Sequence, residues 1–477
     1  MIANWLNTIY LLALSGLSLF GLLGLVTLFL YWRHRRDAFP CPQVSEQSLP
    51  SVTVQLPIFN ERFVVERLIR AAVNLDYPAE QLQIQVLDDS TDDTAEITAD
   101  LVAQYRRENV NITLEHRSHR EGYKAGALQA AQQTATGDYI AVFDADFQPN
   151  PDFLRQTIPH FIDSPGLGMI QTRWGHLNSE ETILTGAQAI AIDKHFAMEQ
   201  TVRHRANLFP KFNGSAGIWR RACLEDAGGW EADTVCEDLC LSTRAVLNGW
   251  GFRFLNDVVA PAELPATISA YKNQQSRWAK GSTQCLFKFG PAILSSRQHS
   301  WVARVYAVFA MAGYTTHLLL LLLLLVQVPL VYLNQPPPPG LFLFGLAGIG
   351  QPLLFILGQQ VLYPDWRQRL LRIPSLLLIA VGLAPSNTRA MLQVATQSHH
   401  PFIRTPKGIQ FTAEKGTPIR YQLPFDWIVL IELFLAVYSA VGLLLCLING
   451  NVGPLFFFLT CALGFGYVAW LSVKERL

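Results

Sequence analysis

Residues 9–32, IYLLALSGLSLFGLLGLVTLFLYW, contain no charged side chain. About twenty apolar residues in a helix cross a bilayer, and in hydrocarbon only a helix or a closed barrel satisfies its own backbone. The run commits the start of this chain to a membrane helix. It exceeds the apolar core of a cleaved leader, and no small-residue cleavage site follows it. The basic cluster Trp32-Arg33-His34-Arg35-Arg36 lies behind it, and arginines beside a span favour the cytoplasm. The N-terminus is then expected outside and the next long segment inside.

Further apolar runs follow only after residue 300. Residues 306–332 include LLLLLLLLVQVPLVY, and Pro336–Pro339 break the chain after them. Residues 341–363, 427–449 and 453–473 read as three more spans. Five crossings return the basic Lys474 and Arg476 to the cytoplasm, in line with the basic loop PDWRQRLLR after the third. The run 373–385, IPSLLLIAVGLAP, is too short for a span and ends in Ser386-Asn387-Thr388-Arg389, so the stretch 373–396 is expected to lie at the interface.

Half of the 477 residues are hydrophobic, 16% are charged, and the formal net charge is zero, so no global field favours nucleic acid. The seven cysteines show no zinc spacing. Cys236 and Cys240 are the one close pair, without histidines nearby, and are expected as reduced thiols.

Between residues 50 and 265 the pattern changes. VTVQLPIF, IQVLDD, NITLEH and YIAVFDAD are strand-like and alternate with helical NERFVVERLIRAAVNL, TAEITADLVAQYRR and KAGALQAAQQ. This alternation predicts βαβ units and a mostly parallel sheet, with ligands beyond the carboxyl ends of its strands. Two of those ends are acidic, Asp88-Asp89 and Asp144-Ala145-Asp146. The first reads equally well as a turn or helix cap. In the second, two carboxylates two residues apart repel unless a cation or donors sit between them. A hard divalent cation shared with substrate phosphates meets that need. Downstream, YKNQQSRWAKGS places an arginine, whose planar fork suits a diphosphate, at the edge of the membrane region.

The elements QVLDDSTDDT (85–94), GYKAGAL (122–128), FDADFQPNPDFL (143–154), QTRW (171–174), FNGSAGIWR (212–220), AGGW (227–230), CED (236–238) and QQSRW (274–278) occur in this order. Together they resemble the membrane-bound family 2 glycosyltransferases, within them the cellulose-synthase-like group of glucomannan and xyloglucan-backbone synthases. The resemblance implies a cytoplasmic α/β domain of the GT-A type over residues 40–300. It would lie between an N-terminal transmembrane helix (1–36) and a helical transmembrane region (301–477). It further implies that Asp88 and Asp89 contact the nucleotide, that Lys124 lines the same pocket, and that Asp144 and Asp146 face Mg2+ or Mn2+ and the diphosphate. Asp238, beside Glu237, is implied as the general base, although Glu237-Asp238 also reads as a helix N-terminus. Gln274, Arg277 and Trp278 match the family's catalytic Gln-x-x-Arg-Trp motif, in which Arg277 would hold the diphosphate and Trp278 would lie beneath the acceptor sugar, with Trp174 in the substrate pocket. His195 reads as a buried, hydrogen-bonded histidine and stays outside the catalytic set. Phe402–Gly408 is similar to the family's gating loop, with a lipid-binding basic loop as the other reading. Where the family usually carries a second acid after the base, this chain has Cys240.

The expected activity is processive, inverting transfer of hexosyl units from UDP-glucose or GDP-mannose to a β-linked polysaccharide, from the cytoplasmic face of the inner or plasma membrane. UDP-glucose is slightly preferred as donor, although no residue decides. The alternatives are a non-processive glucosyltransferase acting on diacylglycerol or ceramide, and a transporter or scaffold with an inactive domain. The intact acid and arginine set speaks against the last.

Overall fold

The structure is a computed structural model that describes residues 1–37, 39–335, 340–396 and 425–476. Seven strands form one sheet: β1 (Val52–Ile58), β2 (Leu82–Asp88), β3 (Ile112–His116), β4 (Tyr139–Val142), β5 (Leu167–His176), β6 (Gly217–Arg220) and β7 (Gly251–Ala262). Their order is β3-β2-β1-β4-β6-β5-β7. β1 runs parallel to β2 and β4, β2 to β3, and β5 to β7, while β6 is antiparallel to both its neighbours. The sheet is thus mixed and mostly parallel, as the alternation of elements predicts.

β2 and β4 are buried at every position. Helices cover both faces of such a sheet, so its strands are apolar throughout and do not alternate. Val52, Val54, Leu56 and Val86 pack with Phe143, Phe153 and Phe161 on one side. Ile140 and Val142 pack with Leu128, Trp219 and Trp230 on the other. The parallel register brings Ile58 level with Asp88, and β4 ends at the same edge of the sheet. The acidic turns after β2 and β4 are therefore neighbours.

Among the described residues, five helices are long and apolar enough to cross a membrane: Ile2–His34, Trp301–Tyr332, Leu343–Leu362, Ile428–Ile448 and Leu455–Lys474. Trp366–Gly382 and Ala384–Thr396 meet at a bend of 42°, and would add a sixth only if taken as one broken span. Pro336–Pro339 and the loop Phe402–Gly408 lie outside the described residues.

The helix Ile268–Ser295 carries the Gln-x-x-Arg-Trp residues and joins the sheet domain to the apolar helices. It packs on Glu237–Leu247 on one side and on Trp301–Met311 and Ala384–Thr396 on the other.

Candidate active site

One cavity of about 860 Å³ opens at the carboxyl edge of the sheet. Among the sequence-identified residues it is lined by Asp89, Lys124, Asp144, Asp146, Trp174, Glu237, Asp238, Gln274, Arg277 and Trp278. Residues nearly two hundred positions apart thus share one space.

Asp144 and Asp146 follow β4 in a turn whose Phe143 and Phe147 are buried in the core. That alternation turns the carboxylates toward the cavity. The backbone N–H of Asp144 donates to Ser215 Oγ at 2.9 Å, which ties the turn to the Asn213-Gly214-Ser215 loop. Lys124 stands in the first turn of the helix Tyr123–Ala131, which starts where Gly122 takes a φ of +68°. Its ammonium reaches Asp144 Oδ1 at 2.6 Å, donates to the Gly214 carbonyl at 2.8 Å, and lies 3.8 Å from Glu237 Oε1. Loss of water alone lowers this ammonium, but Asp144, Glu237 and Asp238 outweigh that and raise its pKa. The Asp144 carboxyl is pushed up by loss of water and by the charge of Asp146, against the pull of Lys124.

Asp238 is the second residue of the helix Glu237–Leu247, and its Oδ1 accepts from the Leu239 N–H at 2.8 Å. The helix N-terminus and cavity readings of this acid therefore hold together. Its recess, poor in water, and the adjacent Glu237 push its pKa up to about 7, while Lys124 opposes the shift. A carboxylate with that pKa is suited to take a proton at neutral pH. Gly214, at a φ of +85°, makes the space beside it. A Cβ there would stand 3.0 Å from Asp238 Oδ2.

Gln274, Arg277 and Trp278 lie at i, i+3 and i+4 of one helix, hence on one face. Among the described residues, Gln274 Oε1 is buried without a hydrogen-bond partner. Loss of water lowers the Arg277 pKa, partly offset by the nearby Cys236, Glu237, Asp144 and Asp238. Trp174 Nε1 donates to the Ser215 carbonyl at 3.2 Å, and its ring packs on Phe147 and Phe196.

The Asp88-Asp89 pair divides. Asp89 lines the cavity and is held in a fork by Arg117, Nε to Oδ1 at 2.7 Å and Nη2 to Oδ2 at 2.5 Å. Asp88 does not line it: Oδ1 accepts from the Ser90 N–H at 2.9 Å, and Oδ2 lies 3.3 Å from His116 Nδ1. Asp88 is the last residue of β2, and alternation along a strand turns it into the fold. His195 is away from the cavity, between Glu199 at 2.9 Å and Asn213 at 3.1 Å, and loss of water lowers its pKa to about 4. Cys240 is fully buried, 2.9 Å from the Cys285 sulfur and 3.0 Å from Thr234 Oγ1, so the acid expected there is replaced by a thiol facing the core. All seven cysteines are free.

Three contributors lay outside the sequence-identified set. Arg117 holds Asp89. Arg120 lines the cavity with its guanidinium 3.4 Å over the Phe59 ring, and loss of water lowers its pKa to about 10. His176 lines the wall at the end of β5. Arg117 and Arg120 sit in the run RSHREG, where two arginines and a histidine crowd a loop that follows His116. Density of charge there was the available signal.

Among the described residues no group of three or more His, Cys, Asp or Glu forms a metal cage. Asp144 and Asp146 supply two carboxylates at a site whose charge repulsion a cation relieves. That donor set fits a hard divalent ion completed by substrate oxygens.

Residues 50–281 match the family model described as Glycosyltransferase like family 2. The chain is 38% identical over 313 residues to glucomannan 4-beta-mannosyltransferase 7 of Arabidopsis thaliana, covering 64% of this chain and 56% of that one. It is 37% identical over 306 residues to glucomannan 4-beta-mannosyltransferase 1 of Cyamopsis tetragonoloba, covering 63% and 58%. The chain thus spans a little over half the length of the curated relatives it matches. Its fold is similar to that of the mannosyltransferase PcManGT from Pyrobaculum calidifontis, solved in complex with GDP-Man and Mn2+. That likeness has a TM-score of 0.55 at 20% identity and covers 81% of this chain and 99% of that one. On these matches, the sheet domain of this chain is a family 2 glycosyltransferase domain, similar in sequence to the glucomannan 4-beta-mannosyltransferases.

Proposed function

We propose that this chain is a membrane-embedded, inverting hexosyltransferase that extends a β-linked polysaccharide from a nucleotide sugar. The observation that carries this reading is the shared cavity. Asp89, Lys124, Asp144, Asp146, Asp238 and Arg277 line one space on the helix that joins the sheet domain to the apolar helices. GDP-mannose is the donor we favour over UDP-glucose, because the relatives named above are mannosyltransferases.

The roles follow from chemistry and position. Asp89 and its Arg117 partner hold the nucleoside. Arg277, with Lys124, carries the charge of the diphosphate. Asp144 and Asp146 would hold Mg2+ or Mn2+, which when bound supplies counter-charge to the leaving diphosphate. Asp238 takes the proton of the acceptor hydroxyl as its oxygen bonds to the anomeric carbon. The bond from that carbon to the diphosphate oxygen breaks with its electron pair on the oxygen. Attack from the face opposite the diphosphate inverts the centre. Trp278, beside Gln274 and Arg277, offers a ring face to the acceptor sugar. The basic residues after the first span and after the third support a cytoplasmic position for this site.

Purified protein incubated with Mn2+ and either GDP-[14C]mannose or UDP-[14C]glucose tests the reading. A polymer that stays in water and yields to a β-mannanase or β-glucanase supports it. A chloroform-extractable product replaces it with lipid glycosylation. Asp238→Asn is expected to abolish transfer while the nucleotide still binds.

A further inference from the structure

His176 ends β5 and lines the cavity. Its Nε2 lies 2.8 Å from Oδ1 of Asp193, a fully buried carboxylate on the helix Ile183–Lys194. The same carboxylate accepts from the Tyr363 hydroxyl at 3.2 Å and from Gln359 Nε2 at 2.9 Å. Gln359 belongs to the candidate span Leu343–Leu362. An apolar helix therefore reaches, through one buried acid, a histidine in the cavity wall.

A carboxylate beside one imidazole nitrogen keeps the proton on that nitrogen and fixes the ring's orientation. With Nε2–H given to Asp193, the neutral ring keeps its lone pair on Nδ1, on a side chain that is 3% exposed in the cavity wall. Anchoring the sheet domain to the span needs Nε2 alone, so anchoring does not account for a histidine in preference to a glutamine. The surroundings say what Nδ1 faces. His176 is paired with Ala262 across β5 and β7. Ala262 bridges to Phe147, and the next residue, Glu263, donates its N–H to the Asp146 carbonyl at 3.2 Å. His176 is thus one strand away from the Asp144–Asp146 turn, on the side of the apolar helices. A group attached to a diphosphate at that turn extends past it.

We infer that His176 reads a hydroxyl of the donor's hexosyl group, accepting its hydrogen bond at Nδ1, and that Asp193 is the residue that positions it. This rests on the nucleotide-sugar reading of the cavity. Gln359 and Tyr363 then make the third apolar helix part of the donor site's support.

Calorimetry on the full chain in detergent with Mn2+ tests it, using GDP-mannose against GDP and UDP-glucose against UDP. His176→Gln keeps an N–H for Asp193 and removes Nδ1. It is expected to weaken the sugar nucleotide about tenfold, the size of one lost hydrogen bond, while the matching diphosphate stays within about twofold. The unchanged diphosphate also shows that the variant is folded. Asp193→Asn is expected to weaken the sugar nucleotide in the same sense, again without touching the diphosphate. Equal losses on both ligands in His176→Gln, or no loss on either, overturn the inference and leave the cavity's nucleotide role standing. Wild-type protein that binds none of the four compounds overturns both.

Discussion

Lys272 and Glu432 meet at 2.6 Å, and the Lys272 ammonium also donates to Ser472 Oγ at 2.8 Å. This buried contact joins the helix of Arg277 to the two C-terminal apolar helices. Five residues along a helix turn roughly 140° beyond a full revolution, so Lys272 grips a face of the helix away from Arg277. At the helix start, Glu475 accepts from the Ile268 N–H and from Ser269 Oγ, the latter at 2.8 Å. That acid also suits the positive end of the helix dipole. The two contacts fix the rotation and height of Gln274, Arg277 and Trp278. Removing one partner of a buried pair costs about 3–5 kcal/mol, because the other charge is stranded. Glu432→Ala is expected to lower the melting temperature and the transfer rate. The double change Lys272→Met with Glu432→Met is expected to recover much of the stability. Thermal unfolding in detergent, followed by tryptophan fluorescence, checks both.

The Asp238 pKa of about 7 sets a pH dependence. As the proposed base, Asp238 must be ionised, so kcat/KM is expected to fall as pH drops below about 7, approaching tenfold per unit. The profile of kcat/KM reports the free enzyme, which is the state in which loss of water and Glu237 raise this carboxyl. A flat rate between pH 5.5 and 8 in an initial-rate assay at low donor concentration contradicts the assignment.

Much of this arrangement was legible in the residues. Charge-free runs gave the apolar helices, and the apolar YIAVF followed by Asp-Ala-Asp gave a buried strand with acids at its end. Those signals are local, because hydrophobic period and length decide them. The division of Asp88 from Asp89 was not legible, since it depends on which of two adjacent carboxylates the strand's pleat turns inward. Nor was the hold of Arg117 on Asp89. Arg117 lies in a loop after β3, and only the parallel pairing of β2 with β3 brings it back to the end of β2. His176 reads as one more strand residue until the apolar helix that carries Gln359 is packed behind it. Each of these omissions is a contact made by chain topology rather than by spacing.

Arg117 has a consequence for nucleotide binding. Its two bonds to Asp89 are charge-assisted, each worth about 1.5–3 kcal/mol. It also donates to the Glu121 carbonyl at 3.0 Å and to the Tyr123 carbonyl at 2.9 Å, so it ties the loop before Lys124 to the end of β2. Arg117→Met leaves Asp89 near Arg120 alone, at 3.9 Å. Affinity for GDP or UDP is expected to drop tenfold or more. Arg117→Lys is expected to recover little of it, because one ammonium cannot form the two-pronged contact. Equilibrium binding of a fluorescent nucleotide measures this without any turnover.

Gly214 offers a test of geometry with almost no change in chemistry. At a φ of +85°, any residue with a Cβ is strained, at a cost of about 1–2 kcal/mol. The added methyl would also stand 3.0 Å from Asp238 Oδ2 and 3.6 Å from the Lys124 ammonium. Either the base moves or the Asn213-Gly214-Ser215 loop does. The loop is held by the Lys124 bond to the Gly214 carbonyl and by Ser215 Oγ under Asp144, so the carboxylate is the easier group to shift. Displacing a catalytic group by about 1 Å costs on the order of a hundredfold in rate. Gly214→Ala is therefore expected to retain nucleotide affinity within about threefold and to lose roughly a hundredfold in kcat. Side-by-side measurement of nucleotide binding and single-turnover transfer separates the two effects. A variant with normal kcat places the acceptor away from the gap between Gly214 and Asp238.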